Sequence, residues 1–97
     1  MSASLSTHVL DTTAGAPAGG VAVELLRGDD QLARAETDTD GRARLAESLP
    51  LGRYTLVFHP PSAFFRRVEL ELELDADRHY HVPLLVSPYS CASYRGS

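Results

Sequence analysis

At 97 residues with a formal charge of −4 and a single cysteine, the chain is sized for one domain with a modest core. The acidic balance excludes a nucleic-acid surface, which needs clustered positive charge, and no stretch approaches the ~18 apolar residues that cross a bilayer. Cys91 alone cannot form an internal disulfide, so no oxidising compartment is called for.

All nine basic residues are arginine, and Lys, Ile and Asn are absent, a skew that points to a GC-rich source rather than to a function. Arginine does favour fixed, bidentate recognition of planar or anionic groups. The opening Met1-Ser2-Ala3-Ser4-Leu5 lacks the basic and apolar blocks of a signal peptide, so a soluble cytoplasmic protein is the expectation.

The chain reads as short strands broken by turns, with no convincing helix. Val21, Val23 and Leu25 alternate with Ala22 and Glu24 before a turn at Gly28-Asp29-Asp30. A weaker strand from Gln31 to Thr37 leads into Asp38-Thr39-Asp40-Gly41, where Asp-Gly marks a tight turn. Leu51-Gly52 turns into a strand from Arg53 to His59 that places Tyr54, Leu56 and Phe58 on one face; Pro60-Pro61 closes it, since neither residue can donate to a ladder. His59, next to the prolines, is expected to be a solvated loop residue.

Val68 to Leu74 is the clearest strand, with four apolar residues facing inward and Glu69, Glu71 and Glu73 facing water. The next strand is unusual. Alternation from His79 sends His79, His81, Pro83 and Leu85 to one face and Tyr80, Val82 and Leu84 to the other. Two histidines at i and i+2 on an otherwise core-forming strand suggest a site. Seven to eight short strands at regular spacing predict an all-β sandwich in a single domain, 1–97.

The middle of the chain, from Pro17 and Gly19-Gly20-Val21 through Thr39-Asp40-Gly41-Arg42 to Leu49-Pro50-Leu51-Gly52-Arg53-Tyr54, resembles the prealbumin-like sandwiches. The two ends sharpen that likeness. Leu5-Ser6-Thr7-His8-Val9-Leu10-Asp11-Thr12 and the tail from His79 to Tyr94-Arg95-Gly96-Ser97 resemble the end motifs of the 5-hydroxyisourate hydrolases, the transthyretin-related enzymes of urate breakdown. The resemblance covers nearly the whole chain.

It implies a transthyretin-like fold and a site of His8, Arg42 and His81, with Tyr94 and Ser97 binding substrate. It also implies a homotetramer built as a dimer of dimers, with sites in the channel between paired dimers and no metal or organic cofactor. Family members carry a longer segment, with a short helix, between the strands ending near His59 and beginning near Val68. Only Pro60 to Arg67 remains here, so that helix is expected to be reduced or absent. Ser90, Cys91, Ala92 and Ser93 also depart from the family's usual tail.

The residue types suit hydrolysis of a cyclic ureide. Adding water to an imide carbonyl develops negative charge on oxygen; a histidine titrating near neutrality can take the water's proton, and a guanidinium can hold the planar ring and its oxyanion. Spacing does not say which histidine is the base. The alternatives are a zinc or copper site built on His79, His81 and His8, a non-catalytic transthyretin-like carrier or interaction module, and an idle paralogue partnered with an active subunit. Cys91 has no partner base in the sequence and reads as a small buried apolar residue.

Overall fold

The computed structural model describes residues 1–96, and the substrate-binding role expected of Ser97 lies outside them. Nine strands form two packed sheets, with no helix among the described residues. They are β1 (Ser2–Asp11), β2 (Ala16–Pro17), β3 (Ala22–Arg27), β4 (Asp30–Glu36), β5 (Arg42–Pro50), β6 (Gly52–His59), β7 (Val68–Leu74), β8 (His79–Ser87) and β9 (Ser90–Ser93). The first sheet runs β2-β1-β8-β9, with β5 also pairing β1; the second runs β4-β3-β6-β7.

The sandwich and the missing helix match expectation, and the extra strands are informative. β2 and β9 are only two and four residues long, too short to show an alternation. β5 was not anticipated from the sequence. Its first turns alternate Arg42 and Arg44 outward with the buried Ala43 and Leu45, a pattern diluted by alanines and by bulges where it pairs with β1. The Asp40-Gly41 turn also does something other than close a hairpin: it carries the chain from β4 in one sheet to β5 in the other.

The core lies between the sheets. β1 contributes Ala3, Leu5 and Val9, β8 contributes Tyr80, Val82, Leu84 and Val86, and β6 contributes Tyr54, Leu56 and Phe58. Leu84 is fully buried, and truncating such a side chain to alanine costs about 2–5 kcal/mol. Thr7 is the polar member of this inward row, and its Oγ1 donates to the Val82 carbonyl at 2.6 Å, so its burial leaves no donor unmet.

The pairing that positions everything else is parallel. β1 lies beside β8 with Ser4 opposite His79, Ser6 opposite His81 and His8 opposite Pro83. Across the other edge of β1, His8 faces Arg42 and Ser6 faces Arg44 on β5. Burying the odd residues of β1 therefore forces its even residues, with the odd residues of β8, onto the outer face.

Candidate active site

That outer face carries His8, Arg42 and His81 on three adjacent strands. The His8 and His81 rings have centroids 6.4 Å apart and planes inclined at 47°. Arg42 borders two hollows: one of about 490 Å³ shared with Ser6, Asp38, Arg44, His79 and His81, and one of about 470 Å³ shared with His8, Leu10, Pro17 and Asp40. Its guanidinium makes no ion pair with the carboxylates of the described residues, which leaves it free for an anionic ring.

The turn before β5 is built to place Arg42 and orient His8. Asp38 Oδ1 accepts from the amides of Asp40 and Arg42, and the Asp38 carbonyl accepts from the Gly41 amide at 2.9 Å. Gly41 has φ +76°, and a Cβ there would collide with the Val9 carbonyl, so the turn lies hard against β1 beside His8. The Val9 amide donates to the Gly41 carbonyl at 2.7 Å. His8 Nε2 sits 2.7 Å from the Asp40 carbonyl, which can only accept; the nitrogen therefore carries a proton, and in neutral His8 the lone pair is on Nδ1.

His81 is held from its other nitrogen. Its Nδ1 lies 2.9 Å from Ser6 Oγ, and Ser6 Oγ lies 2.7 Å from His79 Nε2. Ser4 Oγ continues the chain at 2.6 Å from His79 Nδ1. Burial holds the His81 imidazole below the usual histidine range, and the charges of His8, His79 and Arg42 push it lower still. His81 is thus neutral at physiological pH, the form a general base requires.

Among the described residues, the tail meets this site at Gly96. The Gly96 amide donates to the His81 carbonyl at 2.7 Å, and a side chain at Gly96 would press on the His81 ring, whose Cδ2 is 3.0 Å from the Cβ position. Tyr94 is not beside the histidines within one protomer. It is exposed and lines another hollow, of about 430 Å³, with Leu70, Leu72, Tyr80 and Val82 where the sheets gape between β7 and β8.

His59 is not a solvated loop residue. It ends β6, half-buried, with its Nε2 on Glu24 Oε2, because the outward pleat of β6 sets it beside β3. Cys91 packs partly buried against the core, and burial pushes its thiol up, away from nucleophile chemistry. No group of three or more His, Cys, Asp or Glu is placed to hold a metal ion among the described residues.

Sequence reasoning did not single out Ser4, Ser6 or the Asp40 carbonyl. The alternation Ser4, Ser6, His8 was visible and puts the serines on the histidine's face. The partner strand was not visible.

Comparisons with known proteins place the chain in a family. The model of the HIUase/Transthyretin family matches residues 5–96. The 5-hydroxyisourate hydrolase of Caulobacter vibrioides is 42% identical over 114 aligned positions that take in 96% of this chain and 97% of that protein. Those 114 positions outnumber the 97 residues of the chain by 17, so at least that many positions of the relative have no counterpart here.

The structure of Klebsiella pneumoniae 5-hydroxyisourate hydrolase superposes with a TM-score of 0.88 at 36% identity, covering 97% of this chain and 99% of that one. Sea bream transthyretin in complex with thyroxine superposes with a TM-score of 0.82 at 26% identity, covering 95% and 93%. A match across nearly the whole length in both sequence and fold leaves one conclusion: this chain belongs to the HIUase/transthyretin family.

Proposed function

We propose that the protein hydrolyses 5-hydroxyisourate to 2-oxo-4-hydroxy-4-carboxy-5-ureidoimidazoline, a step of urate catabolism, in the cytoplasm. The observation that carries this reading is the outer-face set of His8, Arg42 and His81. It joins a guanidinium that makes no ion pair among the described residues to two imidazoles, each held by a hydrogen bond at one ring nitrogen.

Arg42 holds the planar ring and the oxygen that becomes negative as water adds to the carbonyl. A histidine takes the water's proton. His8 has its lone pair on Nδ1, and His81 Nε2 is the ring nitrogen left without a hydrogen bond among the described residues. We assign the base to His81, whose proton affinity is lowered by burial so that the neutral form is favoured. The second imidazole, 6.4 Å away, orients the ring or protonates the leaving nitrogen. The substrate-binding roles of Tyr94 and Ser97 rest on the likeness of their motif alone. Ser97 lies outside the described residues, and Tyr94 lines a separate hollow within one protomer, so it would serve the site of another copy.

The set lies on an open face, where water would weaken every electrostatic contact. A second copy laid over this face would close the hollows into a channel. β7 and β9 are unpaired edges flanking one gap, and edge pairing there would build the dimers that then stack face to face. The protein is accordingly a homotetramer, a dimer of dimers, which light scattering would reveal as four times the chain mass.

The activity is tested by following the absorbance of freshly generated 5-hydroxyisourate with and without catalytic amounts of the protein. Accelerated decay is the expected result. Decay at the spontaneous rate from folded tetramer would remove the hydrolase and leave a carrier.

A further inference from the structure

We propose that Ser6 and His79 form a proton relay for His81, making them positioning residues whose work is to move the base's charge out to water. The inference rests on the hydrolase reading above and concerns two residues that border the same hollow as His81 and act through it. Its basis is the hydrogen-bonded row Ser4–His79–Ser6–His81, with successive separations of 2.6, 2.7 and 2.9 Å. Parallel pairing of β1 with β8 creates this row, because it sets each serine directly beside a histidine.

A serine hydroxyl has one proton, so Ser6 donates to one of its imidazoles and accepts from the other. The row therefore has a direction. His81 Nε2 makes no hydrogen bond among the described residues, and the ring lines the larger hollow on this face. For Nε2 to accept a proton it must be bare, which places the ring's hydrogen on Nδ1. His81 then donates to Ser6, Ser6 donates to His79 Nε2, and His79 Nδ1–H donates to Ser4.

The proton movements close. As the water oxygen bonds to the carbonyl carbon, its proton goes to His81 Nε2. The Nδ1 proton moves to Ser6 Oγ while Ser6's own proton moves to His79 Nε2. The positive charge ends on His79, which is exposed, and not on His81, where burial and the facing His8 and Arg42 oppose it. When the ring C–N bond breaks, the departing nitrogen takes the proton from His81 Nε2, and the row runs backwards to its starting state. One water is consumed and nothing is oxidised or reduced.

The test combines ring-nitrogen NMR with turnover of the whole protein. In wild type above the His81 titration, His81 should carry its hydrogen on Nδ1, the tautomer an unconstrained histidine favours less. Ser6→Ala should lose that tautomer and lower kcat by roughly tenfold or more with KM within about twofold, and Ser6→Thr, which keeps the hydroxyl, should recover both. His79→Ala should also lower kcat, and added free imidazole should restore part of it.

A wild-type His81 protonated on Nε2 overturns the relay without any variant having to fold. So does a Ser6→Ala enzyme whose kcat stays within about twofold of wild type. A silent wild type that shows the Nδ1 tautomer removes the hydrolase reading and leaves the directed hydrogen-bonded row standing.

Discussion

His59 and His81 occupy matching places on the two sheets. Each points outward from an inner strand, β6 or β8, and each is half-buried. Their neighbours differ. His59 meets Glu24, and the hydrogen bond between them holds the Glu24 carboxyl below its usual range. Around it, Arg67 pairs with Glu69 and Arg53 with Glu73, so cations on this face are met by carboxylates.

His81 meets a serine hydroxyl and looks toward His8, His79 and Arg42, with no carboxylate of the described residues pairing any of these four. One face neutralises itself; on the other Arg44 pairs with Glu47, while Arg42 and the three histidines keep their cationic and basic capacity unspent among the described residues. A surface that completes its own ion pairs gives a solvated, stable exterior. A surface that leaves them incomplete destabilises charge on its own histidine and is ready for an anionic partner.

The largest test of this contrast is His81→Ala, expected to lower kcat by about 10²–10⁴-fold while light scattering shows unchanged assembly. Arg42→Ala should raise KM and lower kcat together, for a combined loss on the order of 10²-fold in kcat/KM; unchanged kinetics would remove Arg42 from the site. Gly41→Ala attacks the support beneath both residues. Its positive φ and the Val9 carbonyl leave no room for a side chain, so urea unfolding should show a loss of more than about 1 kcal/mol, with reduced turnover as the Asp40 carbonyl moves off His8.

The pH profile sharpens the comparison further. Because the folded-state value of His81 is lowered, the neutral base persists as pH falls, and the acid limb of kcat/KM should lie below ~6.5. The same shift makes stability decline as pH drops from ~6.5 through the folded value of His81, since the unfolded chain binds the proton more readily. The smallest effect belongs to the other face. Glu24→Gln should cost at most about 1 kcal/mol in urea unfolding and leave kcat/KM untouched. What the Glu24–His59 pair contributes is present above the ordinary carboxyl range and is lost as pH falls through Glu24's lowered value.

Much of this was legible one strand at a time. The alternation from His79 to Leu85 correctly separated Tyr80, Val82 and Leu84, all buried, from the outward histidines. Val68 to Leu74 likewise became an edge strand with its three glutamates in water. Periodicity reports which face a residue takes and is silent about which strand lies alongside.

For that reason Ser6 went unmarked: only the long-range parallel register puts it beside His81, 75 positions away. His59 was misplaced for the same reason, since its carboxylate partner is 35 residues distant. His8, Arg42 and Tyr94 were named from the likeness of their motifs. Geometry brings the first two to His81 and sets Tyr94 along a separate hollow of the same protomer.

The most direct measurement is the decay of freshly generated 5-hydroxyisourate with His81→Ala and His59→Ala proteins side by side, against wild type at equal concentration. The account predicts wild-type decay from His59→Ala and near-spontaneous decay from a folded, assembled His81→Ala. Equal rates from the two variants would contradict it, because the faces would then not differ in chemistry.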